Sequence, residues 1–107
     1  MLEGFLYSVV SREEGCAVVR LLPESPIYAA HFPGFPVTPG VTLVQIALEL
    51  MGRKLLSAKD IKFVVPVIPS EQGPELRYEW TISDSARADV SVFFLDGTLC
   101  AKMALGV

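Results

Sequence analysis

The chain has 107 residues, 51% of them hydrophobic, and a formal net charge of −3. That length suits one domain, residues 1–107, and is short for two. The acidic balance excludes a general nucleic-acid binder, whose surface is basic.

Mean hydropathy is +0.47, high for so small a chain. A domain of this size still exposes much of its surface, so burial against another copy is expected: a homodimer or a higher oligomer of dimers. No apolar run approaches the ~20 residues of a membrane helix; the longest, Val64-Val65-Pro66-Val67-Ile68-Pro69, contains two prolines. Glu3 comes early, with no basic segment ahead of an apolar core, so neither a membrane span nor a secretory signal is expected. Cys16 and Cys100 are isolated and lack metal-type spacing. With a single histidine in the chain, they argue against a metal site and for two buried, reduced thiols in the cytoplasm.

Residues 2–11 mix Leu2, Phe5, Leu6, Tyr7, Val9 and Val10 with small polar residues and read as a first strand. Arg12-Glu13-Glu14-Gly15 is a turn and residues 16–22 are a second strand, so the two make a hairpin that Pro23-Glu24-Ser25-Pro26 ends. Residues 27–40 read as a long loop, a connection that is often functional in a small domain. Residues 41–56 form the one expected long helix, opened by Pro39-Gly40 and with Arg53 and Lys54 suited to its C-terminal turn.

The helix is apolar nearly all round, the mark of a buried helix. At 100° per residue, Thr42, Gln45, Glu49 and Arg53 fall at about 0°, 300°, 340° and 20°, a single polar stripe. Four strand-like runs follow at residues 61–68, 75–82, 88–95 and 98–107, the last two joined by Asp96-Gly97. Pro66 and Pro69 favour an edge or a bulge for the first of them. The expected class is α+β, with an antiparallel sheet curled round one central helix.

Three features carry chemistry. His31 is the only histidine and stands in a loop rich in proline and glycine; a neutral imidazole is a base at cellular pH. At the helix start, the Gly40 and Val41 amides lack partners within the helix and carry the positive end of its dipole. Such a site suits a carbonyl oxygen that gains negative charge. Gln45 and Glu49, spaced i and i+4, share a face. Burial would raise the pKa of Glu49 and make it a general acid; the alternative is a solvated stripe in which Glu49 pairs with Arg53.

The run His31-Phe32-Pro33-Gly34-Phe35-Pro36-Val37-Thr38-Pro39-Gly40-Val41, followed by an apolar helix, resembles the signature of the hot-dog-fold 3-hydroxyacyl-acyl carrier protein dehydratases. The resemblance is strong over residues 24–69. It implies a hot-dog fold and dehydration of a 3-hydroxyacyl thioester to the 2-enoyl thioester, in fatty acid or polyketide-type synthesis. No cofactor is implied beyond the phosphopantetheine of an acyl carrier protein, which is the implied partner. His31 would remove the C2 proton and the Gly40 and Val41 amides would hold the thioester carbonyl. Phe32, Pro39 and Gln45 would contact substrate, and an acidic helix residue would protonate the leaving hydroxyl. In that family the acid sits where this chain has Gln45, and glutamine often stands where this chain has Glu49. Either Glu49 has taken over as the acid, an arrangement similar to dehydratase-like proteins of aryl polyene synthesis, or Gln45 only orients substrate and the activity is changed or lost. An acyl thioesterase and a non-catalytic carrier-binding subunit remain the competing readings. Arg53, Lys54, Lys59 and Lys62 are either a docking patch for an acidic carrier or solvated surface.

Overall fold

The computed structural model of the chain describes residues 1–30 and 37–107. Strands β1 (Tyr7–Glu13) and β2 (Cys16–Leu21) form the expected hairpin, and the helices α1 (Pro26–Ala30) and α2 (Gly40–Met51) follow. After these come β3 (Ser57–Phe63), the short α3 (Pro69–Gln72), and β4 (Glu75–Ile82), β5 (Arg87–Phe94) and β6 (Leu99–Gly106). The six strands make one sheet in the order β1-β2-β4-β5-β6-β3, antiparallel at every step.

One face of the sheet is apolar because its strands alternate. Ala17, Val19 and Leu21 on β2, Leu76 and Tyr78 on β4, and Ala88, Val90, Val92 and Phe94 on β5 are all buried. The residues between them on β5, such as Arg87 and Asp89, are exposed. Helix α2 fills this face: Leu43, Val44, Ile46, Ala47, Leu48 and Leu50 belong to the same cluster as the inward strand residues. Polar side chains pin the helix to the sheet as well. The Tyr78 hydroxyl donates to the Leu43 carbonyl (2.9 Å), and Arg12 Nη1 on β1 donates to the Leu50 carbonyl (2.8 Å). The helix is thus held from the middle of the sheet and from its β1 edge, which is the hot-dog arrangement.

The structure corrects several sequence-based boundaries. Residues 2–6 are a turn rather than the start of a strand, closed by Leu6 N to Leu2 O (2.7 Å) and Phe5 N to Leu2 O (3.0 Å). The expected loop begins with α1, for which Ser25-Pro26 supplies a capping serine and a proline at the first helical position. Helix α2 stops at Met51, not near residue 56. Gly52 adopts the left-handed conformation (φ 67°, ψ 35°), and Gly52 N and Arg53 N bond back to Glu49 O and Leu48 O. That pattern terminates a helix, and it leaves Arg53 and Lys54 beyond the last turn.

Strand β3 begins at Ser57 and ends at Phe63, before the prolines, which cannot donate to a ladder. It is the edge strand beside β6, with a bulge between Ala58 and Asp60, so its charged residues stay exposed at the margin.

Candidate active site

The start of α2 is built to leave amides available. The residue ahead of Gly40 is Pro39 (φ −61°, ψ 137°); among the described residues no side chain caps the helix, and its first turn carries no acid. Thr42 Oγ1 instead donates to the Pro39 carbonyl (2.6 Å), which the Thr42 and Leu43 amides also approach (3.0 and 3.4 Å). The Gly40 and Val41 amides precede these first bonds and have no acceptor within the helix. A Cβ at Gly40 would fall 2.6 Å from Cζ of Phe63, so any larger residue there must displace that ring. The Phe63 ring reaches the helix start from the end of β3, packs on the Cα side of Gly40 and is 51% exposed.

Two ties flank residues 31–36. The Tyr28 and Thr38 hydroxyls share a buried hydrogen bond of 2.9 Å, and the Thr38 amide donates to the Val67 carbonyl (2.8 Å). Burial pushes the Tyr28 phenol up, against a smaller opposite effect of the bond to Thr38. The sequence-predicted residues His31 and Phe32 lie outside the described residues.

Gln45 and Glu49 do share a face of α2, with Gln45 exposed and Glu49 half-buried. The surroundings of Glu49 differ from both sequence-based alternatives. Its Oε2 accepts from the Leu2 amide (2.8 Å) and from Gln45 Nε2 (3.0 Å). Its Oε1 accepts from the Glu3 amide (3.1 Å) and from the Tyr7 hydroxyl (2.9 Å). Partial burial alone would push this carboxyl up, but the four donors together outweigh it and hold it below the usual glutamate range. The expected upward shift is therefore reversed. Among the described residues Arg53 is not a partner of Glu49; it lies exposed past the helix end. Tyr7 responds in the opposite sense, its phenol pushed up by burial and by the hydrogen bond to the carboxylate.

The residues that sequence reasoning missed are Tyr7 and the Leu2 and Glu3 amides, which hold Glu49, and Phe63, which covers Gly40. Period-two alternation marks Tyr7 as inward-facing, but no local signal links it to a helix residue 42 positions away. Of the two cysteines, Cys100 is buried and Cys16 half-buried, and both are free thiols. Burial pushes the Cys100 thiol up to about 11.

Comparison with known proteins agrees with this architecture. The chain is 27% identical over 99 residues to a 3-hydroxyacyl-[acyl-carrier-protein] dehydratase FabZ of Desulforamulus reducens, covering 90% of this chain and 70% of the relative. It is 22% identical over 105 residues to the FabZ of Bacillus pumilus, covering 98% and 73%. Among solved structures, the dehydratase heterocomplex ApeI:P from Xenorhabdus doucetiae superposes with a TM-score of 0.74 at 18% identity, over 94% of this chain and 96% of that one. A protein from the thioesterase superfamily gives 0.55 at 20% identity, over 92% and 80%. These two likenesses establish the hot-dog fold. The sequence model of the ApeI-like family, described as ApeI dehydratase, matches residues 9–103. By that match, spanning nearly the whole sheet and its central helix, the chain belongs to the ApeI-like family of hot-dog dehydratases.

Proposed function

We propose that this protein removes water from a 3-hydroxyacyl thioester carried on the phosphopantetheine of an acyl carrier protein. The observation that carries the reading is the uncapped start of α2, with Gly40 and Val41 amides suited to a thioester oxygen, in a chain that matches a dehydratase family. One such donor contributes about 3 kcal/mol in a transition state. In the reaction the C2–H bond breaks and its electrons become the C2=C3 double bond. The C3–O bond then breaks, and the departing oxygen takes a proton and leaves as water.

His31 is the base for the C2 proton. Glu49 does not suit the role of acid, because four donors converge on its carboxylate and hold its pKa below the usual glutamate range. The proton that His31 takes from C2 is the one available to the leaving oxygen, so a single imidazole closes the proton balance.

The working unit is a homodimer formed along β3. That strand is the edge beside β6. Leu56 and Val64 beside its two ends are 77% and 49% exposed, and Val41 on the adjoining helix turn is 76% exposed. These exposed apolar side chains, outside the charged and bulged stretch of β3 itself, favour contact with a second chain. The free thiols suit a reducing cytoplasm.

One feature favours a second reading, a carrier-binding subunit without turnover: by the motif's resemblance Gln45 stands where the family has its acid, and glutamine has no proton to give. Incubating the purified protein with a 3-hydroxyacyl-carrier substrate separates the two. Formation of the 2-enoyl product, lost in His31→Ala, supports the dehydratase; tight carrier binding with no product, indifferent to His31→Ala, supports the subunit. Release of free thiol would indicate a thioesterase.

A further inference from the structure

The cluster around Glu49 has a chemistry of its own. A carboxylate offers about four lone-pair directions, and each oxygen of Glu49 already receives two donors. No direction is left for a proton or for a substrate hydroxyl, so the group is an acceptor only. The amide of Gln45 has two different ends, an NH2 that donates and an Oε1 that accepts. Facing an acceptor, only the NH2 end is tolerated, because Oε1 against a carboxylate oxygen would place two lone pairs in opposition. The bond from Gln45 Nε2 to Glu49 Oε2 (3.0 Å) is therefore the orientation that the carboxylate dictates. It turns Oε1 of the exposed Gln45 away from Glu49. Were Glu49 protonated, it could donate to Oε1 instead and the amide could turn over.

We propose that Glu49 is a positioning residue, an acceptor that sets the amide of Gln45 so that Oε1 receives the 3-hydroxyl of the substrate. This inference deepens the dehydratase reading and rests on it. A hydroxyl that donates to Oε1 keeps its own lone pairs open to the proton that accompanies departure, so Gln45 holds the leaving group without having to protonate it. The same carboxylate ties the turn at residues 2–6 to α2, which makes the amide orientation depend on that turn being docked.

The test is a double-substitution cycle on the full chain with a 3-hydroxyacyl pantetheine thioester, following enoyl formation. Glu49→Gln is expected to lower kcat about tenfold, the effect of one misplaced neutral hydrogen bond, with KM changed less than twofold. Gln45→Ala is expected to do the same. In the Gln45→Ala background, Glu49→Gln should add no further loss. An undiminished second loss would overturn the proposal by showing that Glu49 acts on the substrate directly. An unchanged kcat in Glu49→Gln would overturn it by confining Glu49 to holding the turn.

A second measurement needs neither a variant that folds nor turnover. In the wild type, the side-chain NH2 resonances of Gln45 should move with the titration of the Glu49 carboxyl, at a midpoint below that of an ordinary glutamate. Independent behaviour of the two groups overturns the proposal. A wild type that makes no enoyl product removes the dehydratase reading, while linked NMR titration would still establish the Glu49–Gln45 pair.

Discussion

The two ends of α2 treat polar groups in opposite ways. At the N-terminal end, Pro39 cannot cap, no acid occupies the first turn, and Gly40 carries no side chain, so backbone donors are left without acceptors from the helix. Near the C-terminal end, donors converge on one carboxylate from Leu2, Glu3, Tyr7 and Gln45 until it is saturated. The helix thus offers hydrogen-bonding capacity where a reacting carbonyl is expected and uses it up where the carboxylate sits. Unpartnered groups are where chemistry can act, and fully partnered ones hold geometry. The acidic side chain that looked most reactive in the sequence is, in the fold, the most completely satisfied polar group on the helix.

Substitution at the open end should have the largest effect. Gly40→Val places a branched side chain on the approach to the helix amides and against the Phe63 ring. Enoyl formation is expected to fall by about 100-fold, the effect of losing one oxyanion donor. Adding Phe63→Ala should recover thermal stability and leave the activity low. Recovery of activity as well would mean that the amides are not the point of action.

At the saturated end, Glu49→Ala leaves the Tyr7 hydroxyl and two amides without their acceptor. Bonds to a charged group contribute more than neutral ones, and a loss of about 2–4 kcal/mol in unfolding free energy is expected by denaturant titration. The sign of the pH dependence follows from the lowered pKa. A carboxyl whose folded pKa lies below its unfolded value stabilises at pH above the unfolded value, ~4.3, and this contribution disappears as pH falls through the folded value. The stability gap between wild type and Glu49→Gln should therefore stay constant from neutrality to about pH 5 and narrow on further acidification. A gap that widened in acid would contradict an ionised Glu49.

The smallest effect is expected between the two ends. Tyr28→Phe removes one partner of the buried bond to Thr38, which joins the residues flanking 31–36. Loss of about 1–2 kcal/mol is expected from the unpaired Thr38 hydroxyl, and Tyr28→Phe combined with Thr38→Val should be milder than Tyr28→Phe alone. Thermal melts of the two variants give the comparison.

Much of the fold was legible in local patterns. Alternation in β5 (Ala88, Val90, Val92, Phe94) and near-continuous apolar character in α2 state which surfaces are buried, because the periods of strand and helix are properties of the backbone. Punctuation is a weaker signal. Ser25-Pro26 opens a short helix inside a stretch whose pattern reads as loop, and Gly52 ends α2 although Leu55 and Leu56 continue the apolar character beyond it.

By itself, the sequence determined the α+β class through its periodicity, pointed to the hot-dog fold through the resemblance of the motif that opens at His31, and set Gln45 and Glu49 on one helix that opens at Gly40. Only the tertiary structure decided the direction in which the pKa of Glu49 shifts. The charge of a carboxyl depends on the donors around it. Three of the four here come from residues 42 to 47 positions away, on a turn and a strand whose approach no local pattern encodes.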